Sequence, residues 1–283
     1  MQIRTRQIVA LLVLSVGGEP ARAQRPYPAA EWTGTVGVLG MLTPVYEGAA
    51  EHRLLPLPLV LLSFRDRLYL GPNAMGLGLV MGATVVRGAG RAIALEVGIG
   101  DGRPASRSDA LAGMNDRHVV GGVGVKADYH LRGIDAGLTA RQGLSGGAGA
   151  LLGGHLGSSR RFGRLMLRTD LAVTFADDRE MHRSFGVTLE EAARRQSLIG
   201  SGDGRLRPGD GLAYRPNDGL KQVGLAGFLS YAATREWTVV GLGRVTRLSN
   251  EAARSSLVRR RTQFSVGVGL GREVQWGSHS ADR

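Results

Sequence analysis

The chain has 283 residues, no cysteine, 44 glycines and a formal net charge of +12 from 36 Lys+Arg against 24 Asp+Glu. The missing cysteine excludes disulfides, thiolate metal sites and a thiol nucleophile, while 10 prolines and no strict G-X-Y period separate the glycine excess from disordered and collagen-like compositions. With 43% hydrophobic and 21% charged residues, the chain can build a folded body, so the question is which fold uses glycine this heavily.

The N-terminus has the parts of an export signal. Arg4 and Arg6 form a basic start, Ile8 to Gly18 an apolar stretch, and Ala21-Arg22-Ala23 an AxA-type cleavage site. The apolar stretch is too short to cross a hydrocarbon core as helix, which takes about 20 residues. A cleaved signal over 1–23 is predicted. Later apolar runs are all broken by charge or glycine, so the mature chain is either exported in soluble form or spans a membrane as a closed barrel.

Beyond the signal, a period of two dominates in segments of about ten residues. Twelve strands are predicted, over 32–43, 54–63, 66–71, 75–86, 91–99, 118–129, 133–141, 148–157, 163–175, 220–231, 236–247 and 263–274. In the fifth, Ile93, Leu95, Val97 and Ile99 oppose Ala94, Glu96 and Gly98. In the last, Phe264, Val266, Val268 and Leu270 oppose Ser265, Gly267, Gly269 and Gly271. Soluble sheets also alternate, but here the second face is mostly small, as suits the inside of a narrow barrel. The charges on it, Glu96, Lys126, Asp128, Asp135, Arg141, Arg168, Asp170, Arg244 and Glu273, are of both signs and are expected to lie in the lumen, where they can pair.

The connections sort by side. Breaks near 63–65, 87–90, 130–132, 158–162 and 232–235 are short, whereas 44–53, 100–117, 176–219 and 248–262 are long and fall on odd-numbered connections, of which two others, 72–74 and 142–147, are modest. Transmembrane barrels have this asymmetry of short periplasmic turns and long outer loops. The sequence therefore reads as all-β, an antiparallel transmembrane β-barrel of about twelve strands over 24–276 with long loops on one side and a tail at 277–283. Ten strands remain open, because the third strand is short and Pro56 and Pro58 are awkward in a closed ladder. Within the longest loop, Thr188 is placed to cap a helix starting near Leu189, with Glu190 and Glu191 in its first turn. The stretch after it, 201–211, reads as irregular.

Signals for chemistry are sparse. Asp177, His182 and Ser184 are close in sequence but lack a nucleophile motif, and Asp177, Asp178 and Glu180 read as a solvated acidic turn rather than a metal site. The glycine string from Gly76 to Gly82 has no βαβ context for a dinucleotide. No catalytic residue, metal or cofactor is predicted. The run Arg259-Arg260-Arg261 follows a surface loop and suits lipopolysaccharide phosphates better than nucleic acid, with a plain solvated loop as an equal alternative.

Four segments carry a resemblance: Tyr46 to Leu70 (YEGAAEHRLLPLPLVLLSFRDRLYL), Phe175 to Leu198 (FADDREMHRSFGVTLEEAARRQSL), Asp218 to Val258, and the closing TQFSVGVGLGREV. They resemble the MipA/OmpV family of Gram-negative outer-membrane proteins. The resemblance implies a single outer-membrane barrel, and with so few signals for chemistry the chain reads as non-enzymatic and monomeric. It also implies a scaffold role, since the best-known member links a lytic murein transglycosylase to a murein synthase. A small-solute channel is the main alternative, and a lipid-modifying enzyme built around His182 a remote third. Two features depart from the family: the chain continues past Trp276 instead of ending on an aromatic residue, and Met181-His182 stands where a tyrosine is common.

Overall fold

Twelve antiparallel strands run in chain order around a ring and close on themselves, β1 pairing with both β2 and β12. The computed structural model describes residues 31–73, 78–145 and 147–277. The strands are β1 (Trp32–Pro44), β2 (His52–Phe64), β3 (Leu68–Pro72), β4 (Leu79–Gly88), β5 (Arg91–Ile99), β6 (Gly121–Leu131), β7 (Ile134–Gly143), β8 (Ala150–Phe162), β9 (Leu165–Ala176), β10 (Gly219–Ala232), β11 (Trp237–Leu248) and β12 (Thr262–Trp276). Helices α1 (Asp178–Phe185) and α2 (Leu189–Gly200) lie between β9 and β10, and α3 (Asn250–Ala253) between β11 and β12. The predicted signal segment lies outside the described residues, as does the tail after Gly277.

The count is twelve, not ten. Strand β3 is short but pairs on both sides. β8 continues through Phe162, so the break expected at 158–162 moves to Gly163-Arg164, where Gly163 takes φ +60 as a tight hairpin requires. Arg132-Gly133, both at positive φ, turns the chain between β6 and β7.

The outer surface is an apolar belt. Val38 and Leu54 are 69% and 73% exposed, and Met81, Leu95, Val97, Leu138, Leu156, Leu171, Leu225 and Val268 are also exposed. A water-facing surface rarely shows so continuous an apolar area. Where the turns are, outward aromatics ring the barrel: Trp32, Phe64, Tyr129, Phe162, Tyr231, Trp237 and Trp276, including all three tryptophans of the chain. Trp32 stacks on Trp276, with centroids 5.7 Å apart, across the β1–β12 closure. Such girdles mark the hydrocarbon boundary of membrane barrels.

The inner face differs from the small, charged face expected. β2 sends Leu57, Leu59 and Leu61 inward, where they meet Leu39 of β1 and Phe228, Val240 and Leu242 of β10 and β11 in an apolar cluster. Between these walls runs β12, whose inward residues are Gly267, Gly269 and Gly271. A Cβ on Gly267 would lie 3.1 Å from Leu242 Cγ and 3.2 Å from Leu39 Cδ1. The glycine stripe is therefore a floor on which larger side chains of neighbouring strands lie. Tyr69 covers Gly82 in the same way, and His155 covers Gly137.

Candidate functional site

The polar part of the interior is built mainly from the inward residues of β3 to β9, with a separate group on β1, β11 and β12. The Tyr69 hydroxyl donates to Glu96 at 2.6 Å. Arg141 donates to Asn73 at 2.6 Å and to Glu96 at 3.4 Å. Lys126 pairs with Asp128 at 2.8 Å, and Arg168 grips Asp170 through two bonds of 2.8 and 2.9 Å with both side chains buried. Asp135 is bonded to His130 and, at 3.2 Å, to Ser159. Glu273 accepts from Thr35 at 3.0 Å and Thr238 at 2.9 Å. Eight of the nine charges predicted for the lumen thus have partners there. The ninth, Arg244, has no hydrogen bond or ion pair among the described residues, and its Nε is buried. Buried pairs of this kind add little net stability, whereas loss of one partner leaves an uncompensated buried charge.

The long loops pack into a cap on one end of the barrel. Val45, Tyr46, Ala110, Leu111, Met114, Val187, Ala192 and Leu257, from four different connections, form one buried cluster. Met181, Phe185, Leu248 and Ala252 form a second. Full burial of a side chain such as Leu111 or Phe185 contributes roughly 1.5–3 kcal/mol, enough to order loops that composition alone leaves irregular. The helix predicted at Leu189 is α2, and Thr188 with Glu191 closes a reciprocal capping box on it.

Buried charges hold the cap together. Arg195 is fully buried and donates to the carbonyls of Asp210 (2.7 Å), Ala110 (3.0 Å) and Ala112 (2.9 Å). Glu191 accepts from the Thr188 and Asn115 backbone N–H groups at 2.9 and 3.0 Å. Burial pushes its carboxyl up, but those bonds and the Arg117 charge outweigh it and hold Glu191 below the usual carboxylate range. Asp210 is held low too, burial being outweighed by Arg259, the Arg207 N–H and Arg195. Burial pushes the Tyr46 hydroxyl up to about 12, and it donates to Leu257 O at 2.8 Å. Burial, with the neighbouring Arg117 charge, lowers Arg103 to about 10.

This arrangement redistributes the sequence candidates. Arg259 is spent inside the cap on Asp210, leaving Arg260 and Arg261 exposed. Asp177, His182 and Ser184 fold into α1 rather than a free loop. Asp177 caps the helix by accepting from Glu180 N at 2.8 Å, and Ser184 donates to Glu180 at 3.1 Å. No hydrogen bond joins the three residues to one another among the described residues.

What the sequence did not reveal is a cavity of about 620 Å³ between the apolar cluster and the cap. Leu39, Leu57, Leu59, Phe228, Val240 and Leu242 form its apolar wall, and seven basic and three acidic side chains its polar side. Lys221, at a β-bulge of β10, bridges Glu47 (2.9 Å), Glu180 (3.5 Å) and Ser184 (3.1 Å) at the joint between barrel and cap. The cavity is assembled from eleven strands and five of the connections between them. Only the inward leucines of β2 signal it, and they do so after the pairing of the strands is known.

A family model described as MltA-interacting protein MipA matches residues 36–274. No curated protein matches the chain. Among solved structures, the NanC porin is similar with 10% identity and a TM-score of 0.45, over 84% of this chain and 100% of that one. Pseudomonas putida OprB is 12% identical with a TM-score of 0.36, over 74% of this chain and 49% of that one. Vibrio cholerae OmpT, an outer membrane protein, is 8% identical with a TM-score of 0.31, over 73% and 56%.

Proposed function

The chain belongs to the family of the MltA-interacting protein MipA, and from that premise we propose that it is a non-enzymatic, monomeric barrel of the Gram-negative outer membrane that anchors a murein lytic transglycosylase, and through it a murein synthase, on its turn side. The apolar belt and the aromatic ring support the membrane placement. The observation that carries the partner reading is the cap. Loop residues such as Leu111, Leu257 and Arg195 are fully buried against one another, so that end of the barrel is engaged with itself. The opposite rim presents exposed arginines, among them Arg67, Arg91, Arg132, Arg164 and Arg235, to a periplasmic partner. On the outer side, Arg260 and Arg261 are free to meet lipopolysaccharide phosphates.

The test is recovery of a purified lytic transglycosylase on the detergent-solubilised barrel. Reversing rim charge with R132E, R164E and R235E weakens recovery in this reading, and reversing Arg260 and Arg261 leaves it unchanged. Recovery that is absent for the unaltered barrel, or insensitive to the rim, removes the proposal. The cavity favours a second reading, a small-solute channel. In planar bilayers a channel gives conductance steps above leak, whereas the anchor reading expects none.

A further inference from the structure

We propose that the cavity beneath the cap binds a single-chain amphiphile with an anionic head, a carboxylate or a phosphate monoester. Such a ligand is independent of any murein partner, and the charge in the cavity wall is out of balance. The three acids in the cavity wall are already engaged: Asp101 with Arg53 and Arg107, and Glu47 and Glu180 with Lys221. Four of the basic side chains are not fully engaged. Arg103 Nη2, Arg117 Nε, Arg141 Nε and Arg244 Nε are buried N–H groups with no acceptor among the described residues. A buried guanidinium N–H without an acceptor costs more than an ordinary lost hydrogen bond, and all four of these side chains line the same cavity. The group that complements this surplus of positive charge in the lining is an acceptor with negative charge.

The shape of the remaining wall selects the rest of the ligand. Leu39, Leu57, Leu59, Phe228, Val240 and Leu242 offer a continuous apolar surface with no polar group for a sugar or peptide to address. The volume of about 620 Å³ falls within the roughly 300–1,000 Å³ of small-molecule sites. Sites of that kind pair a mostly apolar lining with a few convergent polar groups, as this one does. Arg244 is the natural head-group contact. It sits opposite Ala226 and Ser265 in the register of β10–β12, two residues along β11 from Leu242 of the apolar wall. It makes no hydrogen bond or ion pair within the described residues, and Glu47 is the acid whose charge it feels.

The experiment uses the full barrel in nanodiscs of zwitterionic phosphatidylcholine, with empty nanodiscs as baseline, and measures radiolabelled decanoate by equilibrium dialysis at pH 8. The expected result is one saturable decanoate per chain above baseline. Decyl phosphate competes for it, while decanol and decyltrimethylammonium do not. Decyl phosphate competing far better than decanoate identifies a phosphate head as the preferred source, and the reverse a carboxylate. At about 0.8 kcal/mol per buried methylene, octanoate binds about fifteenfold more weakly. Arg244→Met weakens decanoate at least tenfold, and Arg244→Lys, which keeps the charge, restores most of it, with heat-modifiable gel migration showing that each variant is folded. Binding no greater than in empty nanodiscs overturns the proposal. So does competition by decanol equal to that by decyl phosphate, or an Arg244→Met barrel that binds as the wild type does. If Arg244→Met does not fold, the head-group series on the unaltered barrel decides.

Discussion

A pair of glycine-to-alanine substitutions separates the floor role of glycine from its backbone role. At Gly269, inward on β12, an added Cβ lies 2.7 Å from Val38 O, 3.0 Å from Val240 Cγ2 and 3.2 Å from Leu39 Cδ1. The first of these is backbone of the adjacent strand, so the methyl cannot be accommodated by a side-chain rotation. At Gly243, outward on β11, nothing lies within 4 Å of the new Cβ. Both alanines restrict the unfolded chain equally, a stabilisation of about 0.4–1 kcal/mol, and that contribution cancels between them. The difference between the variants is then overpacking alone, about 1–3 kcal/mol against Gly269→Ala. Urea unfolding in detergent, followed by fluorescence of the three rim tryptophans, gives the measurement. Gly243→Ala has a midpoint at or above the wild type, and Gly269→Ala a lower one with unchanged slope. Equal midpoints for the two variants refute the floor argument.

Asp170→Asn leaves Arg168 buried beside a neutral partner and costs about 3–5 kcal/mol in the same titration, whereas the double change Arg168→Met with Asp170→Leu recovers most of the loss; a double variant as unstable as the single one contradicts this. Arg195→Met removes the donor from three buried carbonyls, each worth roughly 1–3 kcal/mol, and is expected to raise hydrogen exchange across 201–211 while heat-modifiable migration of the barrel persists. Loss of the barrel itself shows instead that cap and barrel fold as one unit. The carboxyls of Glu191 and Asp210 have folded-state values below their unfolded ones, so their contribution to the cap is complete above about pH 4 and is lost as pH falls through the depressed values. Protease resistance of the 177–218 loop is expected to hold from neutral pH to about pH 4 and fail below it, with a shallower dependence in Glu191→Gln. A transition near pH 6.5 assigns the effect to histidine and refutes the carboxylate account.

The strands were legible because lipid enforces the period of two on one face regardless of what the other face does. Segments such as Ile93–Ile99 and Phe264–Leu270 advertise their outward side, and the loop asymmetry follows from the topology of a barrel. The cap was not legible, since Leu111, Phe185 and Leu257 come from separate loops and acquire a common core only when the strands bring those loops together. The apolar half of the interior was hidden for a related reason. Leu57, Leu59 and Leu61 alternate with Pro58 and Val60, so β2 has no polar side from which to read a direction. Those prolines, an objection to a closed ladder at the level of sequence, have a local explanation. β3 meets β2 at Leu62, Ser63 and Phe64, so among the described residues 52–61 has its ladder on the β1 side alone. That stretch is an edge, and edges are where sheets accept proline. The short β3 and the prolines of β2 are therefore one feature. Where the ladder between them stops, β2 needs no further N–H donors toward β3, and its inward leucines form one wall of the cavity beneath the cap.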